Sequence, residues 1–291
     1  MKFERIDLHV HSTASDGSES PAAIVRQASA VPLFALALTD HDTLDGLAEA
    51  EQEAAQSDII FIRGCEISTA TPWGEAHFLG LWIPKNKRRI RDLENALDDM
   101  REKRHTRNLR IAEKLRTLGF DVSYEAAEAL AGGRVVGRPH FAELLCRQRV
   151  VKTRKDAFKT YLGKDCPAFV ERELLSPEQA ISLLKGAGAL VSMAHPRLLA
   201  ASVDELRSCL GPWKEQGLDA LEAYHSEHNA KNVRECIDLA AYYGFQLSGG
   251  SDFHGLSKPC TALGTGKGGL RVGRYVYDAL MEYRALHGME E

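Results

Sequence analysis

The chain has 291 residues, with 37 Lys and Arg against 41 Asp and Glu, a formal net charge of −4. A net negative charge does not attract polyanions, which argues against a protein dedicated to binding duplex nucleic acid. Six scattered cysteines without a Cys-x-x-Cys pair exclude the dense disulfide framework of a small secreted scaffold. No apolar stretch approaches the length of a membrane span, and we expect a cytoplasmic protein.

The first predicted strand begins at Ile6 and carries His9 and His11, which are separated by one residue. Side chains alternate along a strand, so both imidazoles project from the same face and can share or adjoin one cation. Asp16 follows closely. The sequence therefore predicts that a metal site begins at the N-terminus.

Helices are predicted to alternate with the strands. Ser20 before Pro21 is typical of a helix N-cap followed by proline at the first helical position, and this helix extends to about Ala30. The Ala- and Glu-rich segment 43–56 predicts the next helix, and Ser176 to Gln179 begins another with the same kind of cap. This order indicates an α/β fold.

Further histidines and acids stand where predicted apolar runs stop, and one lies within such a run. They are His41, Glu66, His77, His195, Asp252 and His254. Parallel strands whose carboxyl ends carry polar residues are typical of a β/α barrel, in which the loops at that edge build the active site. A single histidine in such a place is more often structural, but six histidines and three carboxylates together favour metal binding.

Between His77 and His195 the predicted alternation of strands and helices is interrupted. Residues 85–116 are strongly helical and locally basic, and shorter helical pieces follow through Gly163. We predict a barrel domain of residues 1–84 and 165–291 and an inserted, mainly helical lid of residues 85–164.

Several basic residues are candidates for binding a phosphate. Arg107 on the lid could project toward an anion, although a solvated helix face is the alternative. Arg138 and His140 stand at a predicted helix start, where structural capping competes with anion binding. At the barrel edge the candidates are Arg197, His225 and His228, against surface or structural roles.

The motifs resemble those of the PHP family, named for its polymerase-associated and histidinol phosphatase members. They are Asp7-Leu8-His9-Val10-His11-Ser12 with Asp16-Gly17, Thr39-Asp40-His41-Asp42, Gly64-Cys65-Glu66-Ile67-Ser68, His77, Ala194-His195-Pro196 and Gly250-Ser251-Asp252-Phe253-His254. The resemblance implies a distorted (β/α)7 barrel of PHP type and three neighbouring metals. The first would be held by His9, His11, Glu66 and Asp252, the second by Glu66, His77 and His195, and the third by Asp16, His41 and His254.

The segments 137–140 and 222–228 resemble the subgroup called YciV or TrpH, which includes 3',5'-nucleoside bisphosphate phosphatases. The implied enzyme is a metal-dependent phosphatase that removes the 3'-phosphate of such a nucleotide, with two or three divalent ions, Mn before Zn or Fe. From this ligand set we expect that hydroxide between the metals attacks, that Asp252 accepts its proton, and that His225 or a metal-bound water protonates the leaving oxygen.

Three alternatives remain open from the sequence: a 5'-3' exonuclease on short single-stranded RNA, an amidohydrolase and a non-catalytic metal-binding module. We expect a small phosphorylated nucleotide as the substrate, with no membrane association and no obligate protein partner.

Overall fold

The structure is a computed structural model that describes residues 4–31, 33–132 and 135–289. The chain divides into two compact units, one formed by residues 1–97 and 174–291 and the other by residues 98–173. The second unit begins and ends later in the chain than the insertion of residues 85–164 that the sequence predicts.

The first unit contains a seven-stranded sheet in which the strands follow one another in chain order. The strands are β1 (Arg5–Asp7), β2 (Leu33–Leu38), β3 (Ile60–Thr71), β4 (Gly74–Leu81), β5 (Leu190–Met193), β6 (Ala220–His225) and β7 (Gln246–Gly250). Backbone hydrogen bonds join the last strand to the first: Leu8 N–H donates to Gly249 O at 3.2 Å and Asp252 N–H donates to His9 O at 2.9 Å. The sheet thus closes into a barrel, and the predicted distorted (β/α)7 fold is confirmed.

One strand departs from the expected parallel arrangement. β4 pairs antiparallel with both β3 and β5, whereas the other neighbouring strands are parallel. Only Pro72 and Trp73 separate β3 from β4, and a connection that short joins antiparallel strands because a parallel crossover needs a dozen or more residues. The expectation that every strand runs parallel was therefore wrong for β4.

The helices of the described residues are α1 (Pro21–Ala30), α2 (Leu47–Ala54), α3 (Lys87–Thr117), α4 (Tyr124–Ala131), α5 (Arg138–Arg147), α6 (Arg154–Ala157), α7 (Pro177–Ala187), α8 (Val203–Gln216), α9 (Ala230–Tyr243) and α10 (Arg274–Leu286). Ser20 accepts a hydrogen bond from the Ala23 N–H and Ser176 from the Gln179 N–H, so both predicted N-caps are present. α2 begins later than the predicted residue 43. Asp42 has a φ of 53° and its carboxylate accepts the Ser68 N–H, which keeps the chain after His41 out of the helix.

Each unit has its own apolar core. In the barrel, Ile6, Leu8, Ile62, Leu79 and Leu190 are buried together. The second unit buries a separate cluster that includes Ile111, Leu115, Phe141, Leu145 and Leu162. Within the described ranges, no helix combines the length and apolarity that crossing a membrane requires.

Candidate metal centre

A buried carboxylate, Glu66 on β3, lies at the centre of the site and is 0% exposed. Five imidazole nitrogens approach its two oxygens. Oε2 lies 3.2 Å from His9 Nε2, 3.1 Å from His11 Nε2 and 3.0 Å from His41 Nδ1. Oε1 lies 3.0 Å from His77 Nδ1 and 3.2 Å from His195 Nε2. The two oxygens of one side chain therefore face different histidines.

The barrel brings these groups together from distant parts of the chain. β1 ends at Asp7, so the prediction that the first strand carries His9 and His11 was wrong. Both follow β1 in a segment that pairs with residues after β7, where Val10 bridges to Phe253. Glu66 and His77 lie inside the β3–β4 hairpin rather than at strand ends, so the expected strand-end position of Glu66 was wrong. The antiparallel turn folds His77 back over Glu66, which explains how a mid-strand residue reaches the site.

A second cluster adjoins the first. One nitrogen or oxygen from each of His11, Asp16, His41 and His254 lies within 4.8 Å of the corresponding atoms of the others. Asp16 Oδ1 is 3.1 Å from His254 Nε2. This cluster matches the predicted third ligand set with the addition of His11.

Asp252 connects the two clusters. Its Oδ1 lies 3.5 Å from His11 Nε2, 3.8 Å from His9 Nε2 and 3.3 Å from His254 Nδ1. All nine predicted metal ligands therefore lie in one contiguous network, although the histidines around Glu66 divide differently from the predicted sets. His41 stands with Glu66 and His77 in a group of mutually close donor atoms.

The donor atoms have the properties of an ion site. His9 Nε2, both ring nitrogens of His11, His41 Nδ1 and Glu66 Oε2 are buried without a hydrogen-bond partner among the described residues. The short contacts of Glu66 Oε2 with His9, His11 and His41 thus lack hydrogen-bond geometry. Leaving so many polar atoms unsatisfied is costly, and divalent cations would satisfy them. Imidazole and carboxylate donors suit Mn, Fe or Zn, so the residues fit the implied metals.

The protonation states of His11 and Glu66 suit metal ligation. Burial, together with the charges of the neighbouring His254 and His41 rings, lowers the pKa of His11 to about 3. Burial raises the pKa of Glu66, but the charges of His41 and His9 outweigh it and hold that pKa well below its usual range. A neutral imidazole and an ionised carboxylate are the forms that bind metals.

Backbone strain marks two of the proposed ligands. His195 has a φ of 29° and Asp252 a φ of 56°, in the left-handed region that non-glycine residues seldom occupy. Such conformations persist where the surrounding structure enforces them, and they concentrate at functional sites.

Sequence reasoning missed the buried acids that hold the ligand loops. Asp40 accepts the Ser12 N–H at 2.7 Å and the Ser15 hydroxyl at 2.6 Å, which fixes the loop that carries Asp16. Asp7 accepts the Ser251 N–H at 2.8 Å and so fixes the segment that carries Asp252. Both acids adjoin apolar runs, where a charge is costly without partners, and this signal could have identified them.

His225 and Lys258 both contact Oδ2 of Asp252. The Glu227 N–H donates to His225 Nδ1, so the proton of a neutral His225 ring is at Nε2 and is donated to Asp252 Oδ2 at 3.3 Å. Lys258 Nζ lies 2.6 Å from the same oxygen, and its side chain is 43% exposed. Burial raises the pKa of Asp252, but the His225 hydrogen bond and the nearby His9 and Lys258 charges hold it well below its usual range. Asp252 is thus a weak base that is suited to binding a metal ion. Lys258 is a cation beside this residue that the sequence did not single out.

The other predicted substrate-binding residues of the barrel have partners within it. Arg197 Nε lies 2.9 Å from Glu235 Oε2, and its Nη1 donates to Ala201 O at 3.0 Å. His228 lies against His225, with ring centroids 5.3 Å apart, and its Nδ1 lies 2.9 Å from Ala223 O. Their roles in binding substrate remain predictions.

Three predicted anion-binding residues lie in the second unit, where each has local contacts. Arg107 is 7% exposed and its Nε donates to Val170 O at 3.2 Å. Arg138 stands over the rings of Phe158 and Phe169. His140 Nδ1 accepts the Gly137 N–H at 3.0 Å, which is the capping arrangement that the sequence left open.

A β/α barrel whose loops and strands gather histidines and acids around one buried carboxylate defines a metal-dependent hydrolase of the barrel type. The PHP domain model matches residues 7–150 of this chain. A 5'-3' exoribonuclease of Haemophilus influenzae is 35% identical over 264 residues, covering 91% of this chain and 94% of that protein. The chain belongs to the PHP family, and it is a metal-dependent phosphoesterase.

Two further comparisons agree with this assignment. A 3',5'-nucleoside bisphosphate phosphatase of Chromobacterium violaceum is 31% identical over 252 residues, covering 86% of this chain and 87% of that protein. A crystal structure from Bifidobacterium adolescentis, described as a candidate metal-dependent phosphoesterase, superposes with a TM-score of 0.78 at 28% identity and covers 96% of both chains.

Proposed function

We propose that the protein hydrolyses the 3'-phosphate of 3',5'-nucleoside bisphosphates and releases a 5'-nucleotide and inorganic phosphate. The observation that carries this proposal is the network around Glu66, where five imidazole nitrogens lie within 3.2 Å of one buried carboxylate. The bisphosphate phosphatase of C. violaceum, to which the chain is similar over most of its length, supports the choice of substrate.

The nine ligand candidates would hold two or three divalent ions, with manganese as our first choice. They are His9, His11, Asp16, His41, Glu66, His77, His195, Asp252 and His254. When bound, such ions lower the pKa of a water molecule and neutralise charge on the phosphoryl oxygens. Because the two oxygens of Glu66 face different histidines, Glu66 would be a shared ligand of two ions.

The chain itself would contribute a cation for the substrate. Lys258 stands between Asp252 Oδ2 and solvent, since its side chain is 43% exposed while that of Asp252 is 10% exposed. A phosphate entering from solvent would meet this ammonium group beside the ligands. Charge-assisted hydrogen bonds of this kind orient phosphoryl oxygens, so we assign Lys258 to substrate binding.

His225 would also act on Asp252, from the buried side of that carboxylate. Its Nε2–H is committed to Asp252 Oδ2, which holds the carboxylate so that Oδ1 faces His9 and His11. This contact supports a role in orienting Asp252 in addition to the proton donation that the expected mechanism assigns to His225.

A second candidate function is 5'-3' exonuclease action on short RNA. The 35% identity with the H. influenzae exoribonuclease over 91% of this chain favours it. Both reactions break a phosphorus–oxygen bond on the 3' side of a nucleotide and can release a 5'-nucleotide. The same ligand network would therefore serve either substrate.

A direct comparison of substrates tests the proposal. Protein stripped of metal and reloaded with Mn²⁺ would be given adenosine 3',5'-bisphosphate or a 5'-phosphorylated RNA trinucleotide, with products separated by chromatography. The proposal predicts a higher kcat/KM for the bisphosphate and release of adenosine 5'-phosphate. A tenfold preference for the trinucleotide would assign exonuclease action instead, and no turnover of either would exclude both. Glu66→Gln protein, prepared in the same way, controls for contaminating phosphatases.

A further inference from the structure

Glu222 is a fully buried acid on β6 that contacts two of the proposed ligands without being one of them. Its side chain is 0% exposed. Its Oε1 lies 3.0 Å from His9 Nδ1, and its Oε2 accepts the backbone N–H of His195 at 2.7 Å. His9 follows the first strand of the barrel and His195 the fifth, so one carboxylate connects two distant parts of the chain.

The contact with His9 determines which ring nitrogen carries the proton. An ionised carboxylate accepts hydrogen bonds only, so the hydrogen between the two residues must be on His9 Nδ1. The Nε2 lone pair of a neutral ring is then free, and Nε2 is the nitrogen that lies 3.2 Å from Glu66 Oε2. Glu222 therefore selects the tautomer in which His9 presents a lone pair to the candidate metal centre.

The contact with His195 supports a strained backbone. His195 has a φ of 29°, and the N–H of that same residue donates the 2.7 Å hydrogen bond to Glu222. A strained conformation of this kind persists only where its surroundings enforce it. The hydrogen bond holds the peptide in the orientation from which the ring reaches Glu66, with His195 Nε2 at 3.2 Å from Glu66 Oε1.

We propose that Glu222 is a positioning residue that fixes the His9 tautomer and the His195 backbone together, and thereby sets the affinity of the centre for its metal ions. The inference rests on the proposed metal-binding roles of His9 and His195 but not on the choice of substrate. Removing an acid that orients a ligating histidine weakens metal binding by about 10- to 100-fold.

Two variants remove the double contact in different ways. Glu222→Gln keeps the volume, but its NH2 group must face either the His195 N–H, which then loses its acceptor, or His9 Nδ1, where it favours the tautomer with the proton on Nε2. Glu222→Asp keeps the negative charge, but it is one methylene shorter and does not span both donors. Glu227→Gln is the matched control, because the Glu227 side chain pairs with Lys267 at 3.0 Å and lies on the exposed segment after the same strand.

The test measures Mn²⁺ binding by calorimetry on chelator-stripped protein, with circular dichroism of each stripped variant as the check on folding. The expected result is a dissociation constant raised about 10- to 100-fold in Glu222→Gln and Glu222→Asp and unchanged in Glu227→Gln. Phosphate release should recover in both variants when Mn²⁺ is raised in proportion, which a purely structural defect would not show.

Folded Glu222 variants that bind Mn²⁺ as tightly as the wild type would overturn the inference. A wild-type protein that binds no Mn²⁺ or Zn²⁺ would overturn the metal roles of His9 and His195, and the inference with them. Failure to hydrolyse the bisphosphate, with normal metal binding, would reject the proposed substrate alone. If Glu222→Gln does not fold, Glu222→Asp, which preserves the charge, provides the measurement.

Discussion

Replacing Glu66 by Gln tests whether one carboxylate is shared by two ions. The substitution keeps the side-chain volume but exchanges one oxygen for an NH2 group, which has no lone pair for a metal. Oε2 faces three histidines and Oε1 faces two, so either orientation of the amide deprives one group of its carboxylate. Losing a charged ligand should cost about 3–4 kcal/mol of transition-state stabilisation, a roughly 100- to 1,000-fold fall in kcat/KM.

The assay combines metal analysis with turnover. Wild-type and Glu66→Gln protein would be stripped with a chelator, reloaded with Mn²⁺, desalted and analysed for bound metal by mass spectrometry. Phosphate release from adenosine 3',5'-bisphosphate is then measured on the same samples. We expect the variant to retain at least one ion fewer than the wild type. Full metal content with rates within twofold of the wild type would contradict the assignment of Glu66 as a shared ligand.

Four further predictions follow from particular contacts. A Cβ at Gly250 would lie 2.4 Å from the His9 Cβ, so Gly250→Ala should destabilise the protein by about 1–3 kcal/mol in urea unfolding, and an unchanged midpoint would contradict this. Lys258→Met should raise KM for the phosphorylated substrate about five- to tenfold with little change in Mn²⁺ affinity, measured by steady-state kinetics and calorimetry. Ser176→Ala removes the N-cap of α7 and should cost about 1 kcal/mol of stability without changing turnover; an equal loss of kcat would count against a purely local role. Chelation should lower the unfolding temperature, since Mn²⁺ at 100 times its dissociation constant adds about 2.7 kcal/mol per site; identical melting curves with and without Mn²⁺ would refute metal binding.

Local patterns predicted the helix starts because a cap is a local arrangement. Ser20 and Ser176 accept hydrogen bonds from N–H groups three residues later in the chain, so the sequence around each serine is sufficient to predict the cap. The start of α2 was placed too early because the Asp42 carboxylate bonds to Ser68, 26 residues away. A contact of that range cannot be read from helix propensity.

Arg107 shows that local sequence also does not determine which charged side chains are exposed. Its position on a basic helical segment predicted an exposed anion-binding group, yet the side chain is 7% exposed and its Nε donates to Val170 O. Charge patterning reports which residues are basic, but burial depends on what packs against the helix. Lys258 shows the opposite error. It lies beside Asp252 in the structure, but nothing in its local sequence distinguishes it from other surface lysines.

The sequence by itself determined which residues are available as ligands and that the strands and helices alternate. Which side chains can ligate depends on their chemistry alone, so His9 and His11 are candidate ligands even though β1 ends at Asp7, before both of them. Only the tertiary structure decided how the ligands are grouped, that Glu66 turns one oxygen toward His9, His11 and His41 and the other toward His77 and His195, and that Glu222 supports two of these histidines. The physical reason is that ligand grouping depends on distances of a few ångströms between residues far apart in the chain, and closure of the barrel sets those distances.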